Sequence, residues 1–99
     1  MAIYVFTRVT GTTEAGHRLS DKEIEDLRTK RREVLTAAGG KAIAVYRSYL
    51  GRGSVYVSSY PSLEAAEKAR LGIWSRAGLN IARYWTYEQD ILYELPLES

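Results

Sequence analysis

Ninety-nine residues suffice for one domain, 1–99, because two cores within that length would each expose more surface than they enclose. A 45% hydrophobic chain with interspersed charge excludes a disordered segment. The 14 basic and 12 acidic residues leave a net charge of +2, which makes nucleic acid an unneeded partner. The chain has no cysteine and a single histidine, His17, so disulfides, thiolate metal sites, a cysteine nucleophile and a multi-histidine metal centre are all excluded. Ala2-Ile3-Tyr4-Val5-Phe6 lacks the basic start and long apolar stretch of a signal peptide. No apolar run approaches the roughly 18 residues that cross a bilayer. A cytoplasmic location without membrane contact is the expectation.

In chain order, residues 3–9 are β-branched and aromatic and predict a strand. Thr10 to Ser20 is polar and glycine-bearing and reads as a loop. Ser20 with Glu23 forms a capping box, in which hydroxyl and carboxylate each satisfy a free backbone N–H. The helix that it opens should run from Asp21 to Ala38 and stop at Gly39-Gly40. Ala42–Leu50 and Ser54–Tyr60 predict two antiparallel strands joined by Gly51-Arg52-Gly53. Ser62 caps a second helix that reaches about Arg76, with Gly78 as its stop. A short helical piece over Leu79–Glu88 and a last strand over Asp90–Leu95 complete the chain, with Pro96 ending the strand.

This order, β-α-β-β-α-β, predicts an α+β, ferredoxin-like domain: a four-stranded antiparallel sheet with both helices on one face. Side chains alternate along a strand. Ile3, Val5 and Val9 therefore turn to the helices, and Tyr4, Phe6 and Arg8 away. In the third strand the valines, Val55 and Val57, are expected to face the helices, which puts Ser54, Tyr56, Ser58 and Tyr60 on the open side. Tyr4, Phe6 and Tyr56 then form an uncovered apolar patch, the kind of surface that binds a partner.

Size, element order and the segment Val57-Ser58-Ser59-Tyr60-Pro61-Ser62-Leu63-Glu64-Ala65-Ala66-Glu67 resemble the dimeric α/β-barrel superfamily, especially its antibiotic-biosynthesis-monooxygenase-like and stress-responsive barrel domains. The resemblance implies a homodimer in which two sheets close into a barrel, with a small-molecule pocket between each sheet and its helices. It is compatible with a cofactor-independent monooxygenase or with a cyclase or isomerase acting on a small aromatic or anionic molecule, and equally with a non-enzymatic dimeric domain. It implies no cofactor. A second resemblance is to RNA-recognition-type domains, which share the element order and stack bases on sheet aromatics. Against it, Arg52-Gly53-Ser54-Val55-Tyr56-Val57-Ser58-Ser59 carries serine at two of the three stacking positions.

On the first helix, Ile24, Leu27, Val34, Leu35 and Ala38 share one stripe, and Arg31 falls in its middle. On the second, Leu63, Ala66, Ile73, Trp74 and Ala77 define the apolar face, and Arg70 lies within it. An arginine aimed at a core lifts its head to water, pairs with a carboxylate or meets a ligand, since an unpaired buried charge is costly. Arg31 and Arg70 are thus candidate ligand-binding groups for an anionic or enolate-like molecule. Trp74, Trp85 and Tyr84 are either core aromatics or walls for a planar ligand. His17, with an ordinary pKa of about 6.5, is the candidate proton-transfer residue. Gly11, Gly16, Gly51 and Gly53 form no phosphate-binding fingerprint.

Overall fold

The computed structural model describes residues 2–12 and 19–97. Its elements are β1 (Ile3–Thr12), α1 (Asp21–Ala37), β2 (Lys41–Arg47), β3 (Ser54–Tyr60), α2 (Leu63–Trp74), a 3-10 turn (Ile81–Arg83) and β4 (Trp85–Tyr93). The strands form one antiparallel sheet in the order β2-β3-β1-β4, the ferredoxin-like arrangement expected from the element order.

Local chemistry sets the helix boundaries. Ser20 and Glu23 form the reciprocal capping box at the start of α1. The Ser62 hydroxyl accepts the N–H of Ala65 at the start of α2. Between β2 and β3, Gly53 sits at φ +86°, and a Cβ there would run into the Val9 carbonyl. Glycine is required at that turn by both the backbone angle and the close strand.

The region after α2 departs from expectation. The helical piece over Leu79–Glu88 reduces to the 3-10 turn, and the last strand begins at Trp85 instead of Asp90. The cause lies in β1, which continues past Val9 through an irregularity and pairs Gly11 with Thr86 and Thr12 with Trp85. The aromatic run Tyr84-Trp85-Thr86-Tyr87 suits either state locally, and the longer partner strand decides it.

Register corrects the faces of β3. Ser54, Tyr56, Ser58 and Tyr60 stand opposite Val9, Thr7, Val5 and Ile3. Directly paired residues of an antiparallel ladder share a face, so Tyr56 points toward the helices and does not belong to the open patch. Val55 and Val57 take the open side with Arg8 and Phe6. The segment alternates valine with tyrosine, so either phase looked apolar; the large rings are the ones turned inward. Tyr60 is buried against Leu35, Ala66 and Ala69, and a Cβ on Gly40 would strike its ring.

Across the helix-facing side of the sheet the residues form rows. One row joins Val45, Tyr56, Thr7 and Gln89; the next toward the β2–β3 turn joins Arg47, Ser54, Val9 and Tyr87. The core divides around the first of these rows. One cluster gathers Val5, Leu35, Tyr60, Ala66 and Ala69, and the other Ile73, Trp74 and Ile81. Between them Thr7 is a buried hydroxyl. The seam between the two clusters is polar, and the site is found there.

Candidate functional site

Arg31 projects from the middle of α1 over the ring of Tyr56, its guanidinium carbon 4.7 Å from the ring centroid. Burial lowers its pKa, and Arg32 and Arg28 act the same way; Tyr56 and Tyr60 oppose them. Among the described residues no carboxylate forms a salt bridge with Arg31, and its guanidinium donates no hydrogen bond. Arg31 is partly buried, and a cation–π contact of about 0.5–2 kcal/mol takes the place of the carboxylate that usually accompanies such a charge.

Arg70 has a different environment. Its Nε and Nη2 donate to Glu67 Oε2 at 3.0 and 2.8 Å, so its charge is already answered within α2. Of the two helix-stripe arginines, Arg31 alone is left with its charge unmatched.

Three adjoining cavities with shared lining residues lie along this seam. The innermost, about 30 Å³, lies between Arg31, Arg70, Trp74, Tyr56 and Gln89. The middle one, about 100 Å³, shares Arg31, Tyr56 and Trp74 with it and adds Leu27, Ile81 and Trp85. The outermost, about 460 Å³, shares Val9, Arg28, Tyr56 and Trp85 with the middle one and reaches Arg47 and Tyr49 at the β2–β3 turn. No aspartate or glutamate among the described residues lines any of the three, whereas Arg28, Arg31, Arg47 and Arg70 do. The cleft is therefore a cationic funnel with aromatic walls.

At its floor the Gln89 amide donates to Thr7 Oγ1 at 3.1 Å. Gln89 Oε1 is buried without a partner among the described residues, which marks the inner end as a place that wants a further donor. Ser58 donates to the Tyr60 hydroxyl at 3.2 Å, and burial raises the Tyr60 pKa.

The structure thus brings together Arg31, Arg70, Trp74 and Trp85. Trp74 is 7% exposed and stacks on Tyr87 with centroids 4.2 Å apart, so it is a rigid wall. Tyr84 is not among the cleft residues; its ring meets the edge of Trp85 at 5.9 Å. His17 lies outside the described residues. Three groups at the seam were not singled out from sequence: Tyr56 for this face, Thr7 and Gln89. Thr7 carried a signal, as the one hydroxyl in the inward phase of Ile3, Val5 and Val9. Among the described residues no three His, Cys, Asp or Glu side chains converge to hold a metal ion, and no helix is long and apolar enough to cross a membrane.

No family model matches the chain, and no curated protein matches it in sequence. Solved structures do match in shape. SnoaB, a cofactor-independent oxygenase from Streptomyces nogalater solved as a mutant, is 13% identical with a TM-score of 0.62, over 99% of this chain and 98% of that one. A NIPSNAP family protein from Agrobacterium tumefaciens is 12% identical with a TM-score of 0.62, over 98% and 96%. A dimeric ferredoxin-like protein from an uncultured marine organism is 14% identical with a TM-score of 0.51, over 96% and 94%. End to end, this chain shares the ferredoxin-like fold of these solved structures.

Proposed function

We propose that the helix–sheet cleft binds a small, planar organic anion and stabilises its enolate or phenolate oxygen against Arg31. The observation that carries this reading is the unmatched Arg31 guanidinium at the narrow end of a cleft lined by arginines and, among the described residues, by no acid. A protein that leaves a cation desolvated gains from an anion arriving there, because each charge then relieves the other. Trp74, Trp85 and Tyr56 supply flat surfaces for a ring.

The reaction we propose is cofactor-independent oxygenation, supported by the shared fold with an enzyme of that description. An enolate held by Arg31 attacks dioxygen through its carbon, forming a C–O bond. The hydroperoxide then loses water, so that CH2 plus O2 becomes C=O plus H2O, with the substrate as the sole reductant. His17 is the proposed acceptor of the carbon-bound proton. An enolate stabilised in the same way would also add to a carbonyl within the substrate, which is the cyclase alternative. Oxygen uptake separates the two, since only oxygenation consumes one O2 for each substrate.

The binding reading is tested by calorimetric titration with 2-naphthoate and with the neutral 2-naphthalenemethanol. Tighter binding of the anion, weakened about tenfold or more in Arg31→Met by loss of a charge-assisted contact, is the expected result. Equal affinity for acid and alcohol, or an anion affinity unmoved by Arg31→Met, overturns it.

A base-stacking function loses its main support. It requires Tyr56 on the open sheet face, and the register with β1 turns Tyr56 to the helices. We further propose that the open face pairs with that of a second copy.

A further inference from the structure

Resting on the anion-binding reading of the cleft, we infer that the ligand is elongated and diacidic: one oxyanion sits at Arg31 and a second acidic group stays at the mouth, held by Arg47 with Arg28.

Shape sets the direction. Three adjoining hollows that share lining residues, of about 30, 100 and 460 Å³, follow one another between Gln89 and the β2–β3 turn. Only the outermost part falls within the roughly 300–1,000 Å³ usual for ligand pockets. The inner end admits a small polar head, and the bulk of a ligand remains outward.

Charge then selects the outer end. Arg47 stands one row nearer the turn than Val45 on the helix-facing side of β2, opposite Ser54, and lines the mouth together with Arg28. Among the described residues Arg47 has no salt-bridge partner. Arg28 reaches Glu25 only at 3.9 Å, with both side chains more than 60% exposed, a loose pair of little energetic weight. A monoacid seated at Arg31 leaves these two guanidiniums without a close carboxylate among the described residues. A second acid at the far end of a rigid ring system meets both guanidiniums at once, a solvent-exposed attraction that salt screens. Tyr49, which is fully exposed, and Trp85 flank this mouth and give the ligand's middle an aromatic edge.

The test compares 2,6-naphthalenedicarboxylate with its mono-methyl ester, a probe of similar length carrying one charge fewer, by calorimetry at low salt. The diacid is expected to bind about tenfold more tightly than the half-ester. Arg47→Gln should erase most of that difference without weakening the half-ester, and added salt should shrink it. Arg31→Met should weaken both probes. If the two probes bind equally while both still depend on Arg31, the diacid inference fails and the anion site stands. If neither depends on Arg31, the anion site itself fails.

Discussion

Arg31 puts stability and binding in opposition at a single side chain. Its charge is desolvated without a carboxylate, so at neutral pH the folded state bears a cost that the unfolded chain does not. Arg31→Met keeps most of the side chain's length along the α1 stripe and removes that cost. We expect the variant to be more stable, by roughly 1 kcal/mol, since a partly buried polar group without a hydrogen-bond partner costs on that order, while anion affinity falls. Thermal melts with and without 2-naphthoate check both halves: a variant that melts lower without ligand would mean that the Tyr56 contact outweighs the desolvation. Tyr60 gives a prediction in pH. Burial raises its phenol above the ordinary tyrosine value of about 10, so the folded state holds this proton longer than the unfolded one. The stabilisation is complete below about pH 10 and is lost as pH rises through the folded pKa. Tyr60→Phe should therefore melt with a shallower decline above pH 10 than the wild type, measured as Tm against pH. Of these residues, Arg31 was legible from helical spacing alone. Tyr56 and Gln89 were not, because their faces depend on which strand each pairs with and in what register.

At the scale of elements, the two helix starts were readable because a cap is a local device. Ser20, Glu23 and Ser62 act within three residues of themselves, so no tertiary information is needed. Ser20→Ala removes one half of the capping box and should lower stability by about 1 kcal/mol, seen as a shift in urea midpoint with an unchanged slope. Strand ends and faces are nonlocal by contrast. The early start of β4 comes from the length of β1 beyond Val9, and the inward phase of β3 comes from its ladder with β1. The row Val45-Tyr56-Thr7-Gln89 shows why this matters to function: four strands each contribute an unremarkable residue, and the site exists only where the ladders align them. Replacing Thr7 and Gln89 together by Val and Leu should be close to neutral in stability or raise it, whereas Gln89→Leu alone should cost about 1 kcal/mol by leaving the buried Thr7 hydroxyl unanswered. A double-mutant cycle on urea midpoints gives the coupling directly.

The described residues form two layers, and among them helices cover one face of the sheet. The other face carries Phe6, Tyr46 and Leu92, between 38% and 62% exposed, together with Tyr4 and Val55; the register places all five on that side. Charges border this patch: Arg8 stands opposite Glu88, and Asp90 opposite Phe6. A contiguous apolar area on a sheet face is a surface that association would cover, and the proposed occupant is the same face of a second copy. Pairing two such faces puts Phe6 near the middle of the buried area, where desolvation is complete and single residues carry the most energy. Phe6→Glu sets a carboxylate at that point, close to Asp90, and cannot be accommodated between two apolar layers without a large desolvation cost. On the open face of a monomer the same substitution meets water and should be nearly silent. The expected outcome is a dimeric mass for the wild type by light scattering and a monomeric one for Phe6→Glu, with far-ultraviolet circular dichroism unchanged. The cleft lies on the opposite side of the sheet, so the monomeric variant should still bind 2-naphthoate through Arg31. A wild type that is monomeric at high concentration would leave the open face without its proposed partner and would detach the cleft from any role of a second subunit.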